Sequence, residues 1–475
     1  MKTVFVSGSF NVVHPGHLRL LRFAKECGDR LIVGVLSDRV AGAAAHVPEQ
    51  LRLEGVQSNS WVGEAFLINE PVVDTVRRLR PSVVVKGKEH EGKRNSEEDA
   101  LAEYGGQLIF SSGEVMYSSL DLLRKEFEAS FKVASALPED YLKRHRISKP
   151  KLTRLIKKFA GLRVLVVGDL IVDEYITCDS LGMSQEDPSI VVTPIDSKLF
   201  VGGAGVVAAH AAGLGAQVRY FGVSGNDPSH YFAKLSLANY GVEARVLVDP
   251  NRPTTLKQRY RSKGKTLLRV SHLHQASISV DLQQKLLASI RKDIRNCDLL
   301  VFSDFNYGCL PLDLVTQIIA LGKKQGVIMV ADSQSSSQTG DISRFQAMDL
   351  LTPTEREARI ATRDHESGLV ILAEKLLRQA GARNVLLKLG EEGVLIQANQ
   401  PTGEAAITDR LPALNSAPRD VAGAGDSMLI TSSMAIACGS DIWSAAAVGA
   451  LAAALQVSRV GNTPLQRAEL LREVA

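Results

Sequence analysis

Two short stretches carry residue types that could do phosphoryl chemistry. In Asp420-Val421-Ala422-Gly423-Ala424-Gly425-Asp426-Ser427, small residues stand just ahead of an apolar, helix-forming run from Met428 to Cys438. A tight turn opening a helix presents free backbone N–H groups and the positive end of a dipole, which suits an anion. A carboxylate beside a phosphate must offset the repulsion, and Asp426 could do so by deprotonating an incoming hydroxyl. The same string also fits an ordinary helix start. The second stretch is Gly8-Ser9-Phe10-Asn11-Val12-Val13-His14-Pro15-Gly16-His17. His14 and His17, three apart with Gly16 between them, can both face a phosphate and stabilise charge building on a pentacoordinate phosphorus. An isolated HxxH also fits half a metal site or plain packing.

The elements around these stretches favour the phosphate reading. Val4-Phe5-Val6 predicts a buried strand, Leu18 to Cys27 has helical spacing, and Leu31-Ile32-Val33-Gly34-Val35 predicts the next strand. Strand, loop, helix and strand make the framework of a nucleotide-binding α/β domain, with its ligand at the carboxyl end of the first strand.

This segment resembles the nucleotidyltransferase superfamily with the HxGH signature, which includes glycerol-phosphate cytidylyltransferases and sugar-phosphate adenylyltransferases. The likeness runs from Lys2 to about Leu123 and includes Leu31 to Asp38, Val83-Val84-Val85-Lys86-Gly87, Tyr104-Gly105-Gly106 and Tyr117-Ser118-Ser119. It implies a Rossmann-like domain in which His14 and His17 act on a triphosphate and Gly8, Ser9, Phe10, Gly16, Lys86, Ser118 and Ser119 bind the nucleotide, ATP or CTP. The superfamily's usual loop lysine after Ser37-Asp38 is missing, and Arg39 stands nearby.

From Glu126 to Lys158 the chain turns polar and basic, punctuated by Pro138 and Pro150. A solvated linker fits better than an RNA- or lipid-binding segment. The expected division is a first domain over 1–130, a linker over 131–158 and a second domain over 159–475.

The second domain begins with another strand and turn, Val164-Leu165-Val166-Val167-Gly168-Asp169. Gly202-Gly203-Ala204-Gly205 opens a small-residue helix where a sugar can approach the backbone. Short apolar strands such as Leu299 to Asp304, Val327 to Asp332 and Val385 to Gly390, separated by helical stretches, predict a parallel sheet covered on both faces. Ser184 to Ser197 and Thr254 to Arg269 alternate as exposed strands would, which suits a small lid sheet.

The order GD, GG, TP, KLG and GAGD resembles the ribokinase-like carbohydrate kinases over essentially all of 161–475. Within that family it resembles the heptose-phosphate kinases of the bifunctional ADP-heptose synthesis enzymes, here with the domain order inverted. The closer likeness includes Arg252-Pro253-Thr254-Thr255, Lys257, Arg259 and Leu268-Arg269. The resemblance implies an α/β sandwich with a β lid. Asp426 would be the base, with Gly423, Ala424 and Gly425 holding the developing charge, and Lys388, Gly390 and Gly393 near the nucleotide. Asp173, Gly202 and Gly203 would hold sugar hydroxyls, and Lys257, Arg259 or Arg269 a phosphate already on the sugar. ATP and Mg2+ are the implied cofactors, with Glu357 in the outer shell of the metal. Val206 and Thr354 stand where the family has asparagines, and lysines expected near Tyr307 and Gln334 are absent.

Length and composition agree with this organisation. A chain of 475 residues exceeds one ordinary core, so two or three domains are expected. A net charge of +4 and 5% aromatic residues argue against a nucleic-acid binder. Five scattered cysteines without a CxxC pair predict reduced thiols in a cytoplasmic protein. The N-terminal segment runs straight into the first motif, so no signal peptide is expected, and no apolar run is long enough to span a membrane. The expected partners are a sugar phosphate and a nucleotide, with a homodimer through the lid implied by the resemblance.

Overall fold

The computed structural model describes residues 2–13, 15–87, 90, 95–111, 137–262, 265–334, 340–399 and 407–474. His14, Ser118 and Ser119 lie outside the described residues. The chain divides into two compact units, Met1–Phe131 and Lys132–Ala475.

In the first unit, strands β1 (Thr3–Gly8), β2 (Arg30–Leu36), β3 (Glu64–Ile68), β4 (Val83–Gly87) and β5 (Gln107–Ser111) form a sheet in the order β3-β2-β1-β4-β5. All four pairings are parallel. Strand residues alternate between two cores. Val4 and Val6 pack with Leu21 and Val56 on one face, and Phe5 packs with Val76 and Leu101 on the other. Strand order reverses at β1, which opens a crevice at its carboxyl end, next to Gly8.

The second unit has a nine-stranded sheet and a four-stranded lid. Its strands are β6 (Arg163–Gly168), β7 (Leu170–Met183), β8 (Ile190–Gly203), β9 (Gln217–Ser224), β10 (Val242–Val248), β11 (Thr255–Ser262), β12 (Lys265–His272), β13 (Leu299–Asp304), β14 (Ile328–Ser333), β15 (Leu350–Leu351), β16 (Asn384–Lys388), β17 (Val394–Ala398) and β18 (Ile407–Leu411). The large sheet runs β10-β9-β6-β13-β14-β15-β16-β17-β18 and the lid β12-β11-β7-β8. Strands from β10 to β16 are parallel, whereas β17 and β18 close the edge as antiparallel partners. Two apolar clusters cover the sheet's faces. Helices Ala204–Gly213, Ala424–Ala437 and Ile442–Val457 contribute to one, and helices Val280–Asp293, Leu312–Gln325 and Leu369–Ala380 to the other. Helix Ala424–Ala437 is buried from Asp426 through Ala435, because its residues are apolar or small all round.

The expected linker over 131–158 is corrected in its described part. Helices Glu139–Arg144 and Lys149–Lys157 belong to the second unit. Tyr141, Leu152, Leu155 and Ile156 enter its core, the Tyr141 hydroxyl donates to the Trp443 carbonyl at 2.8 Å, and His145 stacks on the Trp443 ring. Apolar residues at helical spacing outweighed the basic ones on the opposite face.

Candidate active sites

The glycine turn of the second unit opens helix Ala424–Ala437 four residues earlier than the apolar run predicts. Gly423 has φ +77° and caps the helix, so Asp426 lies inside the first turn. The turn is shaped by Asp420, whose carboxylate accepts from the Tyr175 hydroxyl at 2.7 Å and from the backbone N–H groups of Ala422 and Gly461, each at 3.1 Å.

Asp426 is buried, with one amide donor, Gln334 Nε2, at 3.4 Å from Oδ1. Burial pushes its pKa up to about 7, and nearby Asp332 adds to the rise while Lys388 opposes it. Lys388 Nζ donates to Asp332 Oδ1 at 2.9 Å and stands 3.1 Å from where a Cβ on Gly425 would be. A side chain at Gly425 would therefore press on the lysine. Burial alone would lower the pKa of Lys388, yet Asp332, Glu357 and Asp426 together hold it above its usual value. Asp332 is itself pushed up by burial and pulled down by Lys388. The Thr352 hydroxyl also donates to Asp332 Oδ1, at 3.0 Å, and two donors on one oxygen favour the ionised pair.

The residues expected to hold the sugar converge from the lid. Asp173, on β7, receives Arg259 Nη2 at 3.2 Å on Oδ1 and Asn462 Nδ2 at 3.0 Å on Oδ2. Burial raises its pKa, against the pull of Arg259 and Lys257. Gly202 leaves room for that carboxylate, since a Cβ there would lie 2.3 Å from Asp173 Oδ2. Gly203, at φ +58°, caps helix Ala204–Gly213. The Lys257 ammonium lies over the rings of Phe305 and Tyr307, 5.2 Å and 5.1 Å from their centroids. Its charge acts on both Asp173 and Asp426. Arg269 pairs across the strands with Arg259 and is exposed.

A cleft of about 600 Å³ runs past Thr354, Arg356, His365, Lys388 and Gly390 at the carboxyl end of β16. Gly390, at φ +63°, has open space where a side chain would stand. Gly393 is structural, because a Cβ there would meet the Leu411 carbonyl at 2.1 Å. Another hollow, of about 370 Å³, lies at the amino-terminal ends of β6 and β9, away from Asp426. Its Arg163, Arg219, Glu243 and Asp293 are taken up in ion pairs, so it lacks the groups for this chemistry.

Glu357 forms a capping box with Thr354: its Oε2 accepts from Thr354 N at 2.7 Å, and Thr354 Oγ1 accepts from Glu357 N at 3.3 Å. Among the described residues, no three His, Cys, Asp or Glu side chains converge as a metal site. This donor set fits a divalent cation that arrives on nucleotide phosphates and meets the chain through water.

In the first unit, Phe10 has φ +48° and packs its ring 4.9 Å from that of His17. His17 Nδ1 lies 3.0 Å from the Val12 carbonyl, which orients the ring at the start of helix Pro15–Glu26. Arg52, fully buried, donates to the Ser9 and Leu36 carbonyls at 2.6 Å and 2.7 Å and pairs with Asp38 at 2.5 Å. Asn11 ties the same turn to the carbonyl of Ala44 and the N–H of His46. Lys86 is taken up by Glu97, at 2.9 Å and 3.0 Å from its two oxygens, and Arg39 donates to the Asn69 carbonyl.

The sequence reading missed Asp332, Asn462, Asp420 and Tyr175 as parts of these sites. Asp332 ends a strand, a usual place for a site residue in a parallel sheet, and Asn462 follows a glycine after an apolar helix. Asp420 heads the glycine-turn stretch, whereas nothing local in the sequence sets Tyr175 apart.

Comparison with known proteins agrees with this arrangement. Residues 5–104 match the cytidylyltransferase-like family and residues 162–468 match the pfkB family of carbohydrate kinases. The bifunctional protein HldE of Rhodopseudomonas palustris (strain HaA2) is 30% identical over 328 residues, covering 67% of this chain and 65% of that protein. The HldE of Bradyrhizobium diazoefficiens is 31% identical over 326 residues, covering 67% and 64%. The chain thus spans a little under two thirds of the length of these relatives. Escherichia coli phosphofructokinase-2, crystallised with substrates and products, shares the fold with a TM-score of 0.55 at 17% identity, over 66% of this chain and 98% of that one. Arabidopsis thaliana ribokinase, complexed with ribose and ATP, gives 0.50 at 22% identity, over 66% and 99%. With more than half its length matched by the family model, the chain belongs to the pfkB family of carbohydrate kinases.

Proposed function

We propose that the second unit transfers the γ-phosphoryl group of ATP to the anomeric hydroxyl of a sugar or sugar phosphate, with Asp426 as the base. The observation that carries this reading is Asp426 itself: a buried carboxyl with its pKa near 7, in the first turn of a helix opened by a glycine turn. Its carboxylate takes the hydroxyl proton, the sugar oxygen forms a bond to the γ-phosphorus, and the bond to the bridging oxygen of ADP breaks. Backbone N–H groups of Gly423, Ala424 and Gly425 face the developing charge. Asp173 and the Gly202-Gly203 backbone hold the sugar hydroxyls, and Lys257, Arg259 or Arg269 hold a phosphate on its far end. Glu357 would stand in the outer shell of a magnesium ion, which would supply charge neutralisation for the nucleotide phosphates. The nucleotide lies along the cleft past Lys388 and Gly390.

The first unit, in this reading, joins the sugar 1-phosphate to ATP or CTP and releases pyrophosphate, with His14 and His17 stabilising the phosphorus centre. The product is a nucleotide-activated sugar related to ADP-heptose, the compound whose synthesis the resemblance implies. The engagement of Lys86 by Glu97 and of Arg39 by a carbonyl favours a second reading in which only the kinase half turns over. The protein works in the cytoplasm on small molecules. Among the described residues no helix is long and apolar enough to cross a membrane. A homodimer through the lid is supported by its exposed apolar residues Leu181, Met183, Ile190, Ile195 and Leu268.

Incubation with a panel of sugars and sugar phosphates, ATP or CTP and Mg2+, followed by mass analysis, tests both halves. A mass gain of one phosphate and then of one nucleotide supports the full reading. Phosphate gain alone supports the second.

A further inference from the structure

Asn462 joins the two sides of the kinase site. It lies in the loop after helix Ile442–Val457 and is 5% exposed. Its Nδ2 donates to Asp173 Oδ2 at 3.0 Å, on the sugar side. The orientation of the amide is fixed by that contact, because an ionised carboxylate only accepts. Its Oδ1 therefore points the other way, and a Cβ on Gly423 would lie 2.6 Å from it. That oxygen is buried and has no hydrogen-bond partner among the described residues. A side chain present only for packing would not keep an amide carbonyl dry and unpaired beside an anion turn, since it suffers the full desolvation penalty.

The loop is itself held in register with the turn. Gly461 N–H donates to Asp420, the carboxylate that also accepts from Ala422, and the Gly461 carbonyl accepts from Gln456 Nε2 at 3.1 Å. Gly461 has φ +79°, and a Cβ there would meet the Phe200 ring at 2.4 Å. Asn462 is thus the side chain through which this rigid loop reaches Asp173, while Arg259 reaches the same carboxylate from the lid.

We propose that Asn462 is a positioning residue that locks the Asp173 carboxylate to the Gly423 turn, so that a sugar held by Asp173 is aligned with the phosphoryl group cradled by the turn. This rests on the sugar kinase reading. Without the amide, Asp173 keeps only its lid contact and moves with the lid, so the sugar is bound less tightly and less well aligned. The nucleotide cleft past Lys388 and Gly390 does not involve Asn462.

The test compares wild type, Asn462→Ala and Asn462→Asp in an ATP-dependent phosphorylation assay with the sugar panel, alongside ADP affinity by calorimetry. For Asn462→Ala we expect a rise in sugar KM of about tenfold and a fall in kcat, with ADP affinity within about twofold. Asn462→Asp puts two carboxylates in hydrogen-bond contact, with Arg259 and Lys257 on the lid side and Asp420 and Asp426 on the turn side. Such a pair shares a proton at low pH and repels at high pH. Its activity relative to wild type should fall as pH rises, a trend that general loss of structure does not produce. Sugar KM and kcat within twofold of wild type in Asn462→Ala, or a flat relative pH profile in Asn462→Asp, would overturn the inference. No phosphorylation by wild type on any sugar in the panel would overturn the kinase reading and the inference with it, a result distinct from unaltered variants of an active enzyme.

Discussion

Lys388 and Asp332 form a buried ion pair, with Nζ 2.9 Å from Oδ1, and Lys388 carries its charge to within reach of Asp426. Three carboxylates, Asp332, Glu357 and Asp426, act on this one ammonium. The lysine therefore opposes the rise that burial and Asp332 impose on the Asp426 carboxyl, besides facing the Gly425 turn.

A base must be ionised to accept a proton, so kinase activity should rise with pH through about 7, the value to which Asp426 is pushed. In Lys388→Met the charge that lowers this pKa is gone. The acid limb should then move to higher pH by about one unit or more. Initial rates of the variant and wild type from pH 5.5 to 9 measure the limb, and an unmoved limb would show that Lys388 does not tune the base.

Stability should respond in a defined direction. The folded-state pKa of Asp426 lies near 7, above the ordinary carboxylate value of about 3.8, so the folded state binds the proton more tightly. Its contribution is full below the unfolded pKa and is lost as pH rises through about 7. Full loss corresponds to an upper bound of about 4 kcal/mol at pH 8. Asp426→Asn has no buried charge to form, so in the absence of nucleotide its Tm should exceed that of wild type at pH 8 by more than at pH 5. Calorimetry at the two pH values checks this.

Gly202→Ala places a methyl carbon 2.3 Å from Asp173 Oδ2. The carboxylate must turn out of its contacts with Arg259 and Asn462. Sugar KM should rise by about tenfold or more while nucleotide affinity stays within a few-fold. Steady-state kinetics with each substrate varied in turn separates the two.

His17→Ala should stop pyrophosphate release without slowing sugar phosphorylation. The His17 ring is set by the Val12 carbonyl and the Phe10 ring in the first unit, whereas Asp426 belongs to the second. A coupled pyrophosphate assay beside an ADP-release assay measures both, and equal loss of the two would show that the reactions are not separate.

The arrangement of strands was largely legible because β1, β6, β13 and β14 are short apolar runs that end in polar or small residues, the pattern of a sheet buried on both faces. The lid was legible from the alternation in β8 and β11. Basic residues in 143–158 masked the apolar stripe Leu152, Leu155 and Ile156, so that docked segment looked like a linker. Asp426, Asp173 and Gly202 stand in recognisable strings. Asn462 and Asp420 act through contacts with Asp173 and Tyr175, 289 and 245 residues away in sequence, and no local pattern carries such a contact.

In the proposed kinase reaction, Asp426 removes the proton from the acceptor hydroxyl. Asp426→Asn keeps the shape of the side chain but cannot take a proton, so turnover on the best sugar of the panel should fall by about 10²–10⁴. ATP affinity, measured by calorimetry, should stay within a few-fold. Full turnover by Asp426→Asn, on a sugar that wild type phosphorylates, would show that Asp426 is not the base.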